Sequence, residues 1–162
     1  MELMSSRRLI PALLLVMAAF AQQKYTGPRP PKPDLPYLVH ADNLVPTEAG
    51  EAKEQKGKKE EITYIVGGAN SSAKTPLASP IFLVETQQLA ADKLQLYKLE
   101  SKNGQRQIMF SKKKKATAQP ILIETKPIGP SLYRIEVEQT LAPGEYAITP
   151  DGTNQVFCFA VF

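Results

Sequence analysis

One histidine and one cysteine bound the side-chain chemistry open to this sequence. His40 stands beside Ala41-Asp42-Asn43, and a serine nucleophile would ordinarily need such a histidine as base, held by an acid. No G-x-S-x-G elbow accompanies it, so it reads as a hydrogen-bonding or surface histidine near a strand end. Cys158 lies in the run Val156 to Phe162, whereas catalytic thiols need an electropositive, accessible setting. A buried, inert thiol is the expectation, and no intramolecular disulfide can form from a single cysteine. Zinc or copper would normally draw several His, Cys or carboxylate ligands together, a demand that one His and one Cys far apart do not meet.

The remaining candidates are oxygen and nitrogen groups. Glu48, Glu51, Glu54, Glu60 and Glu61 are interleaved with lysines and contain no D-x-D-x-D-G run, which points to a solvated loop rather than a calcium site. Gly67-Gly68-Ala69-Asn70-Ser71-Ser72 lacks the G-x-x-x-x-G-K-[ST] pattern of a phosphate loop and reads as a flexible connection. Glu136 and Glu138 sit two apart, as paired acid and base carboxylates could, but Arg134 on the same face makes a salt-bridging row the better account. Lys112-Lys113-Lys114-Lys115 concentrates positive charge at a hairpin tip or strand end. It could attach weakly to an anionic surface, or simply keep an edge from pairing with other chains. No catalytic, cofactor-binding or metal-binding residue is assigned.

These groups would have to be held by short strands. From Ile62 onward the chain alternates apolar runs with turn residues, the spacing of an antiparallel sandwich or barrel. The candidate strands are Ile62 to Val66, Ile81 to Thr86, Lys93 to Glu100, Arg106 to Ser111, Pro120 to Thr125, Leu132 to Gln139, Glu145 to Thr149 and Gln155 to Phe162. Tyr133, Ile135 and Val137 alternate with Arg134, Glu136 and Glu138, so one face goes to the core and one to water. Gln155 to Phe162 is apolar on both parities, which fits a central strand covered on both sides. Asn103-Gly104 and Asp151-Gly152 tolerate positive φ and mark hairpin turns. Helical periodicity is weak, its best stretch being Glu85 to Lys93, a single turn or an extended link.

The amino-terminal part has a different character. Arg7 and Arg8 precede the uncharged run Leu9 to Ala21, which ends in Ala19-Phe20-Ala21, so residues 1–21 read as a signal peptide cleaved before Gln22. The run is shorter than the 20 or so apolar residues that span a bilayer. Ser6-Arg7-Arg8-Leu9-Ile10 is similar to a twin-arginine signal, although the apolar Leu13 to Met17 suits the general secretory route better. Residues 22–61 form a proline-rich and charged segment. Five prolines fall between Pro28 and Pro36, favouring an extended arm or strap. One strand is expected at 37–45, and residues 47–61 should be a solvated loop or short helix. The whole chain has a net charge of +4, and loss of Arg7, Arg8 and Glu2 with the signal lowers it by one. That is too mild to argue for nucleic acid.

Leu141-Ala142-Pro143-Gly144-Glu145-Tyr146 resembles the L-x-P-G-x-Y turn of many secreted bacterial β-sandwiches, among them carboxypeptidase-regulatory-like and other immunoglobulin-like domains. The resemblance implies fold and no function. Proline fixes the entry dihedral, glycine permits the reversal, and the tyrosine ring goes to the core. The expected molecule is therefore an all-β, antiparallel, immunoglobulin-like β-sandwich at 62–162 with a proline-rich arm, exported to the periplasm or beyond. Its expected role is non-enzymatic, a structural or protein-interaction domain of the cell envelope. A carbohydrate- or anionic-polymer-binding module is the alternative.

Overall fold

The computed structural model describes residues 24–113 and 117–162, where the chain is all-β. The signal reading of residues 1–21, Gln22, Lys114 and Lys115 lie outside the described residues. In chain order the strands are β1 (Tyr37–His40), β2 (Asn43–Pro46), β3 (Glu48–Glu51), β4 (Lys53–Lys56), β5 (Ile62–Gly67), β6 (Lys74–Thr75) and β7 (Ile81–Glu85). They continue as β8 (Leu94–Lys102), β9 (Gln105–Phe110), β10 (Ile123–Pro127), β11 (Leu132–Val137), β12 (Gly144–Pro150) and β13 (Gln155–Val161). A single 3₁₀ turn, Ala91–Lys93, falls where the helical pattern was weak.

Two antiparallel sheets pack together. The first has the order β10-β11-β7-β1-β2 and the second β3-β13-β12-β8-β9-β5-β4, with the short β6 parallel to β13. Between them lies the main core. Phe82 and Val84 of β7 and Ile135 and Val137 of β11 meet Leu96, Tyr146, Ile148, Phe157 and Phe159 of the second sheet. Phe159 contacts Phe82 edge-on at 4.9 Å and stacks with Tyr146 at 5.5 Å, geometries that favour aromatic pairs beyond their buried area. On β11 the alternation works as read: Ile135 and Val137 are buried, while Arg134 Nε lies 2.6 Å from Glu136 on the outer face.

The second sheet does more than pack. β3 and β4 stand at its opposite edges, yet only Ala52 separates them in the chain. The sheet must therefore curl until its edges meet. The run 48–56 pairs with β13 through its first half and with β5 through its second, and Ala52 N–H donates to Asn154 O at 2.8 Å. The result is a small barrel that uses the outer side of β8, β12 and β13 as one leaf of the sandwich. Closure also removes the exposed edges that would otherwise invite pairing with other chains.

Three expectations change here. Residues 47–61, expected as a solvated loop or short helix, supply β3 and β4; main-chain pairing decides, and the alternation was invisible because the inward positions carry Gly50, Ala52 and Glu54 rather than large apolar groups. The strand expected at 37–45 is a hairpin, β1 and β2, reversed at Ala41 (φ 51°) and Asp42. With β1 to β4 built into both sheets, the sandwich begins at Tyr37 and not at Ile62. A smaller shift moves the strand expected at Pro120 to Thr125 to β10, leaving Ile121 as a lone bridge to Leu96.

The proline-rich arm is a strap. Asp34 N–H donates to Glu85 O at 2.7 Å, and the Asp34 carboxylate accepts N–H bonds from Gln87, Gln88 and Leu89. Partial desolvation works against ionisation of Asp34, but the N–H groups of Gln87, Leu89 and Gln88 outweigh it and hold the carboxyl below its ordinary pKa. Arg29 adds an ion pair with Glu85 at 3.2 Å.

Candidate functional site

The barrel interior is filled unevenly, and that unevenness makes the site. Its inward side chains come from alternate positions of six strand runs: Ala52, Val66, Leu99, Ala147, Val156 and Cys158 are buried, with Tyr64 and Ile108 packed on them. Most are small. Toward the end bounded by the β12–β13 turn they leave a cavity of about 440 Å³ open to solvent, within the size range of small-molecule sites.

One half of its wall is aromatic. Tyr64 of β5, Tyr97 of β8 and Phe110 of β9 sit on three neighbouring strands, Phe110 edge-on to Tyr64 at 5.8 Å and to Tyr97 at 5.3 Å. The opposite half comes from Ala147, Thr149, Val156 and the turn Asp151 to Asn154, with Ala52 and Glu54 from the closing run. Polar groups gather at the rim. Tyr97 hydroxyl donates to Gln95 Oε1 at 2.8 Å, and Thr149 hydroxyl donates to Gln155 O at 2.8 Å. Burial, and after it the Asp151 carboxylate, push the Tyr97 phenol above its ordinary pKa. Among the described residues the lining holds two carboxylates, Glu54 and Asp151, and no Lys or Arg.

The other end of the barrel is plugged. Arg106, 1% exposed, donates from Nε to Gly68 O at 2.9 Å, from one terminal nitrogen to Ser71 Oγ at 2.7 Å, and from the other to Gly67 O and Glu48 Oε1, both at 2.6 Å. Glu145 completes the cluster by accepting from Ser71 hydroxyl and from Ser71 N–H at 3.0 Å, and Glu48 accepts Ser72 N–H at 2.7 Å. Gly67 to Ser72, expected to be a flexible connection, is thus wrapped round a buried guanidinium that needs several acceptors at once. Glu48 leaves the solvated-loop group for the same reason. Desolvation acts to raise its pKa, but the bonds from Arg106 and Ser72 prevail and lower it.

The sequence candidates are scattered. His40 Nε2 meets Thr75 Oγ1 at 2.9 Å at the end of β1. Cys158 is fully buried beside the Arg106 cluster; desolvation, only partly offset by Arg106, pushes its thiol up to about 12. Glu136 is held by Arg134 and, at 3.3 Å, by Lys126. Glu138 is exposed. Lys112 pairs with Glu60 at 2.5 Å, and Lys113 is exposed beyond β9. None of these lines the cavity. Among the described residues, no three His, Cys, Asp or Glu side chains are grouped to hold a metal ion.

No protein-family model, curated protein or solved structure matches the chain. Glu54, grouped in the sequence with a solvated acidic segment, lines the cavity, whereas its aromatic residues were missed because each is explained singly as a strand residue. Only the register places Tyr64, Tyr97 and Phe110 on one wall. A larger hollow, about 960 Å³, lies between the strap at Lys24 to Arg29 and the turn at Pro127 to Pro130. Every residue lining it is exposed or half-buried, so it offers a ligand little desolvated surface.

Proposed function

We propose that the protein is an exported, non-enzymatic interaction domain of the cell envelope or its exterior, immunoglobulin-like in its sandwich, with the open end of the barrel as its working face. One observation carries the reading: His40, Arg106 and Glu136 are committed to internal bonds, while an apolar, aromatic-walled cavity with a polar rim is left open. A concave apolar site with a few convergent polar groups is what binding needs. The immunoglobulin-like likeness is supported by the turn before β12, where Tyr146 hydroxyl donates to Ala142 O at 2.6 Å as in a tyrosine corner. Export rests on the signal-like residues 1–21, and no described helix is long and apolar enough to cross a membrane.

The alternative is a carbohydrate- or anionic-polymer-binding module, and its anionic-polymer form, acting through Lys112 to Lys115, is weakened by the pairing of Lys112 with Glu60. Cross-linking in the producing cell, with a photoreactive residue in place of Thr153 at the rim and of Lys126 on the far sheet as control, tests the reading. Products that depend on position 153 are expected. Equal capture from both positions would remove the assignment of the face, and capture abolished by moderate salt would favour the polymer reading.

A further inference from the structure

The chemistry of the cavity narrows what it takes. Tyr64, Tyr97 and Phe110 line its interior as a cluster of edge-to-face rings, and aromatic rings attract a cation, most strongly where water is excluded. Glu54 lies directly across from Tyr64 in the β4–β5 register, and Asp151 is near enough to Tyr97 for its charge to act on the phenol. A guest inside would meet aromatic rings on one side and carboxylates at the rim, with no fixed positive charge among the described lining residues.

We propose that the open end of the barrel binds a small organic ammonium cation, its alkylated nitrogen against the Tyr64–Phe110–Tyr97 wall and its charge offset by Asp151 and Glu54. The inference rests on the barrel end being the working face and adds the class of ligand. Apolar substituents on the nitrogen fit the wall better than a bare ammonium, because the buried part of the lining has few acceptors to replace its hydration. The lysines of the neighbouring segments, Lys56, Lys58, Lys59, Lys112 and Lys113, are exposed and lie outside the lining. At physiological salt their field falls off over about 8 Å, whereas the rings and rim carboxylates would touch the guest.

The test is NMR titration of the folded mature protein with three probes: benzyltrimethylammonium, the uncharged 3,3-dimethylbutan-1-ol, and phenylacetate. The cation is expected to shift resonances of Tyr64, Tyr97 and Phe110 and to bind at least about tenfold more tightly than either other probe, a ratio in the range of desolvated cation–π contacts. The double variant Glu54→Gln, Asp151→Asn, both at exposed positions, should fold normally and lose most of that preference. Were the alcohol to bind at the same residues as tightly as the cation, the ligand class would fall while the binding face stood. Preference for phenylacetate would likewise overturn it, in favour of the lysines. If no probe perturbs the lining at millimolar concentration, both the class and the face are wrong.

Discussion

The two cores of this molecule share β8, β12 and β13 and are built on opposite principles. Between the sheets, Phe82, Phe157, Phe159, Tyr146 and Leu96 are all buried to 1% exposure or less. Inside the barrel the buried apolar positions carry Ala52, Ala147, Val66, Val156, Cys158 and a single leucine, Leu99, and one end is filled by a guanidinium while the other opens as the cavity. Each of these strands serves a sealed core through one set of alternate positions, even in β8 and β12 and odd in β13, and a hollow one through the other, since successive side chains point to opposite faces. Packed apolar volume supplies stability; the under-filled side supplies a place for a ligand.

The largest test of this contrast is the plug. Arg106→Ala removes the only described cation beside Glu145, whose bonds from Ser71 remain, and takes the Arg106 donors away from Glu48, Ser71 Oγ and the Gly67 and Gly68 carbonyls. Breaking a buried charged network from one side costs about 3 to 5 kcal/mol, so urea midpoints should fall accordingly. The Cys158 thiol, held near 12 by burial, reports the same event: thiol reagents should label the parent only as it unfolds and label the variant faster. Acid titration adds a sign. Because the folded Glu48 pKa lies below its usual 4.5, its contribution is fully present above that value and is lost as pH falls through the folded pKa. Glu48→Gln should flatten this part of the acid limb, and an unchanged limb would detach Glu48 from Arg106.

A middle-sized effect belongs to the turn that feeds the sandwich. Gly144 has φ 154°, and a Cβ there would lie 3.4 Å from Lys98 Cε. Gly144→Val should cost more than about 1 kcal/mol. Tyr146→Phe, which removes only the bond to Ala142 O, should cost about 1 kcal/mol. Tyr146→Ala should exceed both. Thermal melts read all three, and parent-like melting of the alanine variant would break the equation of this turn with core packing.

Much of the sandwich was legible in residues. Tyr133 to Val137 announced a half-buried strand, Val156 to Val161 one buried on both faces, and Asn103-Gly104 the β8–β9 hairpin, where both residues have positive φ. The barrel was not legible. Its closing run, Glu48 to Lys56, is polar because most of its side chains face water or a ring of charge, and its hydrogen bonds are main-chain bonds that no side chain advertises. Arg106 looked like an ordinary strand residue, since its acceptors come from residues far away in the sequence. The aromatic wall was hidden likewise, as register alone brings Tyr64, Tyr97 and Phe110 together.

The smallest expected effect separates the two cores most cleanly, because it uses one substitution in both. Phe159 is fully buried between Phe82 and Tyr146, whereas Phe110 is half-buried and borders open space. A leucine at 159 loses ring contacts on both sides and leaves a void that close-packed neighbours fill only in part, so its cost should lie well above that at 110. At 110 the lost ring faced solvent or guest on one side, and the change should stay below about 1.5 kcal/mol, the range of tolerated apolar swaps. Parallel urea melts of Phe159→Leu and Phe110→Leu make the comparison. Equal costs would mean that the barrel end is packed as tightly as the sandwich, and the hollow on which the binding site depends would then be closed in solution.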